Sequence, residues 1–409
     1  MTIERTGPPS AAELGLMEGS PPSADRLVSL ENWLRPPFNR WSLQHLGELM
    51  PSARIARGEH VRELPRAERD LGGVTFEHDG ERWTLDEALT ATATDGFVVL
   101  HGGEIVTERY ANGMTPETRH VQFSVTKSVV ATLAGILIDR GAMHADDDLA
   151  AVIPELAGTS WEGATVQHVL DMRTGTKFSE DYDDLESSMA PYTVASGMGP
   201  RTSPEDPTDT YSFLRSLEND REHGGAFDYR SPVTSMLGWL CERAGGARLG
   251  SLLGRELWAP MGAERDASIV VDPHGYAMAA GGMSATLRDL ARFGQAWLDG
   301  GVVEGRQVIP SGWIADTLTG QPDSREAYAA ALVGEEADAL PAAFYRNKWW
   351  VLDPSLPLYS GIGIHGQYVT VHGPSQVVIA KFSSLPTADD LAFESFHLAA
   401  FLAVAEALA

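Results

Sequence analysis

The segment SVTKSVVATLAGILIDRGAM, residues 124–143, constrains the fold more than any other part of the 409-residue chain. Apolar residues fill nearly every side of it. The spacing therefore predicts a helix that starts near Ser124, stops at Gly141 and is buried all round. Upstream, TDGFVVLHGGEIVTERYANG (94–113) holds two apolar runs around a His-Gly-Gly-Glu turn, the pattern of a β-hairpin. Downstream, LYSGIGIHGQYVTVHGPSQVVIAKFSSLP (358–386) holds two β-branched runs around a His-Gly-Pro-Ser turn, a second hairpin. Between them, helical pieces such as TVQHVLDMRTG and SMLGWLCERAGG alternate with polar loops, and SATLRDLARFGQAWLDGG (284–301) is amphipathic. The chain closes on a further helix.

Strands at both ends with helices in the middle predict an α/β (α+β) fold. Its antiparallel sheet is built from both termini, flanked by N- and C-terminal helices, and carries an α-helical insert. The expected regions are an extended or poorly ordered segment 1–24, an α/β domain from 25–145 and 287–409, and an α-helical domain 146–286. No internal repeat is present.

Charge narrows the partners. A net charge of −26 and a pI near 4.7 repel phosphate backbones and anionic bilayers, which argues against nucleic-acid and membrane partners. No apolar run reaches membrane-spanning length. One cysteine, Cys241, excludes an internal disulfide. The N-terminus has neither a basic n-region nor an apolar h-region, so the expected compartment is the cytoplasm. Lysine occurs only at 127, 177, 348 and 381, and arginine supplies the other 27 of 31 basic residues. A lysine inside an apolar helix of this chain calls for an explanation.

Ser124-Val-Thr-Lys127 supplies one. On a helix, i and i+3 share a face, so the lysine amine reaches the serine hydroxyl. The helix N-terminus sits beside any oxyanion formed there. Apolar neighbours disfavour the charged amine and make it a usable base. Tyr229, in FDYRSP, is a candidate proton relay to a leaving group. His365-Gly366-Gln367 lies on the last hairpin, where a strand-edge N–H beside the serine would complete an oxyanion hole. GIGIHG (361–366) matches a dinucleotide-loop pattern, but it runs into a strand with no βαβ unit around it. There is no G-x-S-x-G elbow, since GGMSAT (281–286) lacks the second glycine, and no H-E-x-x-H or phosphate-binding loop. The acidic run SEDYDDLES (179–187) reads as a solvated loop before a cation site.

The order S-x-x-K, Tyr-x-Ser, Gly-containing strand resembles the serine β-lactamase and penicillin-binding-protein superfamily, nearest its class C and esterase branch. The closer resemblance is to the 6-aminohexanoate-dimer hydrolase family. It is carried by NRWSLQHLGELMPSA (39–53), SVTKS (124–128), IPELAG (153–158), VLDM (169–172), EDY (180–182), DTYSFL (209–214), FDYRS (227–231), LARFG (290–294), WW (349–350) and SGIGIHGQ (360–367), which span nearly the whole chain.

The resemblance implies a β-lactamase-like fold with the site between the α/β domain and the helical insert. It implies Ser124 as nucleophile, Lys127 as its base partner and Tyr229 as proton shuttle, with Ser231 beside them. It implies Tyr182 on the scissile amide, Trp350 over the acyl pocket, and the Ser124 and Ile364 N–H groups as oxyanion hole. Substrate would be a small amide or ester, no cofactor or metal would be required, and the relatives point to a homodimer. His365 stands where class C β-lactamases carry the lysine of Lys-Thr-Gly, which weakens β-lactam hydrolysis. Two positions depart from the efficient amide-cleaving relatives. Ala280 replaces an asparagine, and Thr193 falls where an aspartate receives the substrate ammonium, with Glu186 or Asp184 as substitutes. The rival readings are a carboxylesterase, a D-amino-acid-type peptidase and a non-catalytic penicillin-recognising sensor.

Overall fold

A computed structural model describes residues 3–182, 187–332 and 340–409. Its centre is a seven-stranded antiparallel sheet. Across it the strands run Phe344–Arg346, Trp349–Asp353, Leu358–Gly363, Gln367–His372, Val377–Ser383, Thr94–His101 and Glu104–Tyr110. The first and last thirds of the chain therefore meet where Val377–Ser383 pairs with Thr94–His101. The first expected hairpin turns at Gly102 and Gly103, both at positive φ (57° and 84°), which glycine adopts without strain. The second expected hairpin turns at 373–376 and gains a third strand, Leu358–Gly363, on its far side.

Period-two alternation sorts the side chains of this sheet. Val98, Leu100, Val378 and Ala380 face a large core shared with the helices Val125–Asp139 and Leu287–Leu298. Phe97, Val99, Val377 and Ile379 face the C-terminal helix Leu391–Leu408. That helix corrects one expectation. Its 18 residues, with mean hydropathy 1.5, do reach the length and composition of a membrane span. It lies instead along the sheet, where Phe401 meets Phe97 and Tyr368, while Phe396 meets Phe76 and Trp83 of the hairpin Thr75–His78 and Glu81–Thr84.

A second, four-stranded sheet orders Ser52–Ile55, Ala267–Val270, Met283–Ala285 and His120–Val121. It delivers the chain to residue 124. The helix that follows is buried on all sides, as its apolar circumference predicts; it ends at Asp139, with Gly141 at φ 71°. One of its walls is the helix Ser231–Gly245, whose Val233, Met236 and Leu237 share the core with Val129, Val130 and Leu133. The helical region also includes Val166–Leu170, Met189–Ala195 and Thr210–Ser216, and ends in the two strands Ala267–Val270 and Met283–Ala285. Residues 10–17 form hydrogen-bonded turns, and Ala11 and Leu16 are buried in a cluster with Trp33, Phe123 and Val121.

Candidate active site

Ser124 is the N-cap of the 15-residue helix Val125–Asp139, and its side chain makes no capping bond. The hydroxyl is free for another partner, and Lys127 takes it. Lys127 Nζ donates to Ser124 Oγ at 2.7 Å, to Ser231 Oγ at 3.1 Å and to the Ala280 carbonyl at 2.8 Å. The amine has three acceptors and is 1% exposed. Burial pulls it from the usual 10.5 down to about 8, with the Glu180 carboxylate pulling the other way. At neutral pH a useful fraction is therefore the free base.

Glu180 is the residue that sequence reasoning passed over, although EDY was in view. Its carboxylate accepts the Ser231 N–H at 2.7 Å, the Ser231 hydroxyl, and the Tyr182 hydroxyl at 2.8 Å. Ser231 thus accepts from Lys127 and donates to Glu180. The result is a continuous hydrogen-bonded chain, Ser124–Lys127–Ser231–Glu180–Tyr182. The Tyr182 hydroxyl is pushed up by burial and by the Glu180 charge.

Tyr229 lies with its ring 4.9 Å from Lys127 Nζ. Burial raises its hydroxyl above the usual phenol range, and a hydrogen bond with Ser124 works against that. Trp350 stacks on Tyr229 at 5.6 Å and 24°, and Tyr345 meets Trp350 edge-on at 4.8 Å. Phe227 and Tyr328 close the same aromatic wall. The strands that carry Tyr345 and Trp350 meet at a two-residue turn, Asn347-Lys348, with both residues at positive φ (50° and 64°).

Next to the Trp350 strand runs Leu358–Gly363, with Ser360 paired to Trp350. A Cβ on Gly363 would lie 2.6 Å from the Gln122 carbonyl and 3.1 Å from the Ser124 nitrogen. Only glycine lets the strand pass this close. Among the described residues, neither the Ser124 nor the Ile364 N–H donates to another group of the chain. The next residue, His365, turns inward. Its Nδ1–H donates to the Leu385 carbonyl at 2.7 Å, and burial lowers it to about 4, so the ring is neutral and supplies no cation to a substrate. The Gln367 amide ties the turn by donating to the carbonyls of Ile364, His365 and Ser383.

Phe123, just before Ser124, sits at φ 41°. A left-handed conformation costs a non-glycine residue about 1–2 kcal/mol and is held by its surroundings.

The structure therefore brings together Ser124, Lys127, Tyr229, Ser231, Tyr182, Trp350 and Ile364, and turns His365 away. Thr193, on Met189–Ala195, donates its hydroxyl back to the Met189 carbonyl at 2.8 Å. Ala280 contributes its carbonyl to Lys127, with no side-chain polar group. Asp184 and Glu186 lie outside the described residues. GGMSAT is absorbed by the strand Met283–Ala285 and the N-cap Thr286. Among the described residues no group of three His, Cys, Asp or Glu side chains is placed to hold a metal ion.

A serine bonded to a lysine whose burial favours the free amine, a tyrosine beside both and two N–H groups without partners among the described residues make an arrangement that can carry out acyl transfer. The model of the family described as Beta-lactamase matches residues 84–403. The chain belongs to the beta-lactamase family. Within the family it is 37% identical to the 6-aminohexanoate-dimer hydrolase of Paenarthrobacter ureafaciens over 409 residues, covering 100% of this chain and 99% of that one. The solved structure of a candidate 6-aminohexanoate-dimer hydrolase from Bacillus anthracis superposes with a TM-score of 0.86 at 27% identity, over 95% of this chain and 99% of that chain. A D-stereospecific amidohydrolase from Streptomyces shares the fold, with a TM-score of 0.55 at 17% identity over 75% of this chain and 95% of that one. The chain is a hydrolase of the β-lactamase-like fold, similar over its full length to 6-aminohexanoate-dimer hydrolase.

Proposed function

We propose that Ser124, Lys127 and Tyr229 form the catalytic group of a serine hydrolase that cleaves small amide or ester substrates through an acyl-enzyme, as the similarity to 6-aminohexanoate-dimer hydrolase suggests. The observation that carries this reading is the 2.7 Å bond between a fully buried Lys127 amine and the Ser124 hydroxyl.

Neutral Lys127 takes the Ser124 proton as Oγ attacks the carbonyl carbon. The carbonyl oxygen becomes an oxyanion, which accepts the Ser124 and Ile364 N–H groups at the positive end of a long helix. Protonated Lys127 is stabilised by Ser231, the Ala280 carbonyl and the nearby Glu180 charge. The Tyr229 hydroxyl hands a proton to the leaving amine or alkoxide and is reprotonated from Lys127. Water then attacks the acyl-enzyme by the same route in reverse. We assign Tyr182 to hold the scissile amide and Trp350 to cover the acyl chain. Every group these steps need belongs to this chain, and we assign it no cofactor or metal.

Two observations favour esters over linear 6-aminohexanoate dimers. Thr193 presents no carboxylate to a substrate ammonium, and Ala280 presents no side-chain amide. A carboxylesterase is therefore the second reading. The neutral, inward His365 disfavours β-lactams and other substrates that need a cation at that point. We place the enzyme in the cytoplasm, in keeping with its single, buried thiol.

Turnover of a short-chain p-nitrophenyl ester, the 6-aminohexanoate dimer, a D-Ala peptide and a cephalosporin tests this. Ester turnover fastest, lost in Ser124→Ala with the fold intact, is the expected result. Retained turnover in Ser124→Ala overturns the nucleophile assignment. A stable penicillin adduct without turnover supports a sensor instead.

A further inference from the structure

The two N–H groups of the oxyanion hole belong to residues 124 and 364, and each has an aromatic neighbour in sequence. Phe123 precedes the first and His365 follows the second. Their rings meet at 5.6 Å. The contact therefore bridges the two sides of the hole. Phe123 also stacks on Trp33, at 6.2 Å and 26°. All three rings are at least nine-tenths buried.

Trp33 is itself fixed. Its indole N–H donates to the Met198 carbonyl at 3.1 Å, its backbone N–H to the Ser29 carbonyl at 3.0 Å, and its carbonyl accepts the Ser42 hydroxyl. Ten residues on, the same N-terminal segment receives the Val121 N–H on the Leu43 carbonyl at 2.9 Å. The segment thus holds the approach to Ser124 by a ring on one side and a backbone bond on the other. What it holds is a phenylalanine at φ 41°, a conformation that an unsupported phenylalanine leaves.

From this we infer that Trp33 is a positioning residue for the oxyanion hole, clamping Phe123 against His365 so that the Ser124 and Ile364 N–H groups converge on one oxygen. Trp33 touches no substrate and acts only through Phe123. A hole that is misaligned by a fraction of an ångström still admits substrate, but it stabilises the tetrahedral oxyanion less. The inference rests on the acyl-transfer reading of Ser124 given above.

Trp33→Leu keeps apolar volume and removes the stacking ring; Trp33→Phe keeps a ring. Both are compared with the wild type for kcat and KM on a p-nitrophenyl ester, for the pH profile, and for inhibition by an alkylboronic acid. Such an acid forms a tetrahedral adduct on serine and places an oxygen in the hole. Trp33→Leu should lower kcat by ~10- to 100-fold and raise the boronate Ki in parallel, with KM and the pH profile unchanged. Trp33→Phe should recover most of both. Wild-type kcat and boronate Ki in a folded Trp33→Leu overturn the inference, and so does a fall in kcat with an unchanged boronate Ki. If Trp33→Leu loses its native circular dichroism, a folded ringless variant, Trp33→Met, takes its place. Parallel losses in kcat and boronate affinity that Trp33→Phe and Trp33→Tyr recover support a ring clamp, and wild-type kcat and Ki in Trp33→Met, or losses in both ring variants with a native fold, overturn it. A wild type that neither turns over ester nor binds boronate refutes the Ser124 assignment instead.

Discussion

Replacing Lys127 by methionine should make stability respond to pH in a way that reports the state of the buried amine. In the folded protein burial lowers Lys127 from 10.5 to about 8. In the unfolded chain it returns to its ordinary range near 10.5. Below pH 8 the amine is charged in both states, and the folded state bears the full cost of burying that charge. Between pH 8 and 10.5 the unfolded chain binds a proton that the folded chain does not, so stability rises with pH across that window. At about 1.4 kcal/mol per tenfold, the whole rise is ~3 kcal/mol. Lys127→Met has no such proton. It also removes three hydrogen bonds, but that loss does not vary with pH.

The assay is urea unfolding of both proteins from pH 7 to pH 10.5. Groups that do not feel the Lys127 charge cancel in the difference; Lys348, which that charge helps to push down, is removed from both proteins by Lys348→Met. The stability of the wild type minus that of Lys127→Met should grow by ~3 kcal/mol over the window. The kinetic counterpart is a kcat/KM that rises with pH and levels off near pH 8, since only the free amine takes the serine proton. A flat difference refutes the reasoning: Lys127 would then titrate near 10.5 when folded, too basic to serve at neutral pH.

Tyr229→Phe removes the proton donor to the leaving group but keeps the ring against Trp350. It should lower kcat by ~10²- to 10⁴-fold on an amide and by less on a p-nitrophenyl ester, whose leaving group needs no proton; equal losses on both would reject the shuttle role. Gly363→Ala places a methyl 2.6 Å from the Gln122 carbonyl and 3.1 Å from the Ser124 nitrogen. It should cost ~1–3 kcal/mol in thermal unfolding and most of the activity, whereas a silent variant would mean that the strand does not pass against the nucleophile.

Legibility in the sequence followed the range of the interactions. Ser124 and Lys127 lie one helical turn apart, so periodicity alone put the amine at the hydroxyl. The alternating runs at 94–113 and 367–383 announced their strands for the same reason. The resemblance added Tyr182, Trp350 and Ile364, which no local pattern singles out, and gave Tyr229, one candidate among ten tyrosines, its place beside Ser124. Glu180 stayed hidden because its partner, Ser231, is 51 residues away and is met only when a loop crosses the helix start. The Ala280 carbonyl was invisible in principle, since a backbone acceptor leaves no trace in residue type. Phe344–Arg346 and Trp349–Asp353 were missed because they are short and turn at Asn347-Lys348 without a glycine. Proline and serine in 1–24 masked Ala11 and Leu16, which pack only because distant elements supply the other side of their cluster. His365 was read as facing substrate, because the sequence cannot tell that the Leu385 carbonyl turns its ring inward.

The central claim is that turnover passes through an ester on Ser124. The direct measurement is intact-protein and peptide mass spectrometry of the wild type, acid-quenched during turnover of a slow p-nitrophenyl acyl ester. The account predicts one added acyl group, on the peptide that contains Ser124, and none in Ser124→Ala. An adduct on another residue, or steady turnover with no adduct and no burst of p-nitrophenol, would contradict it.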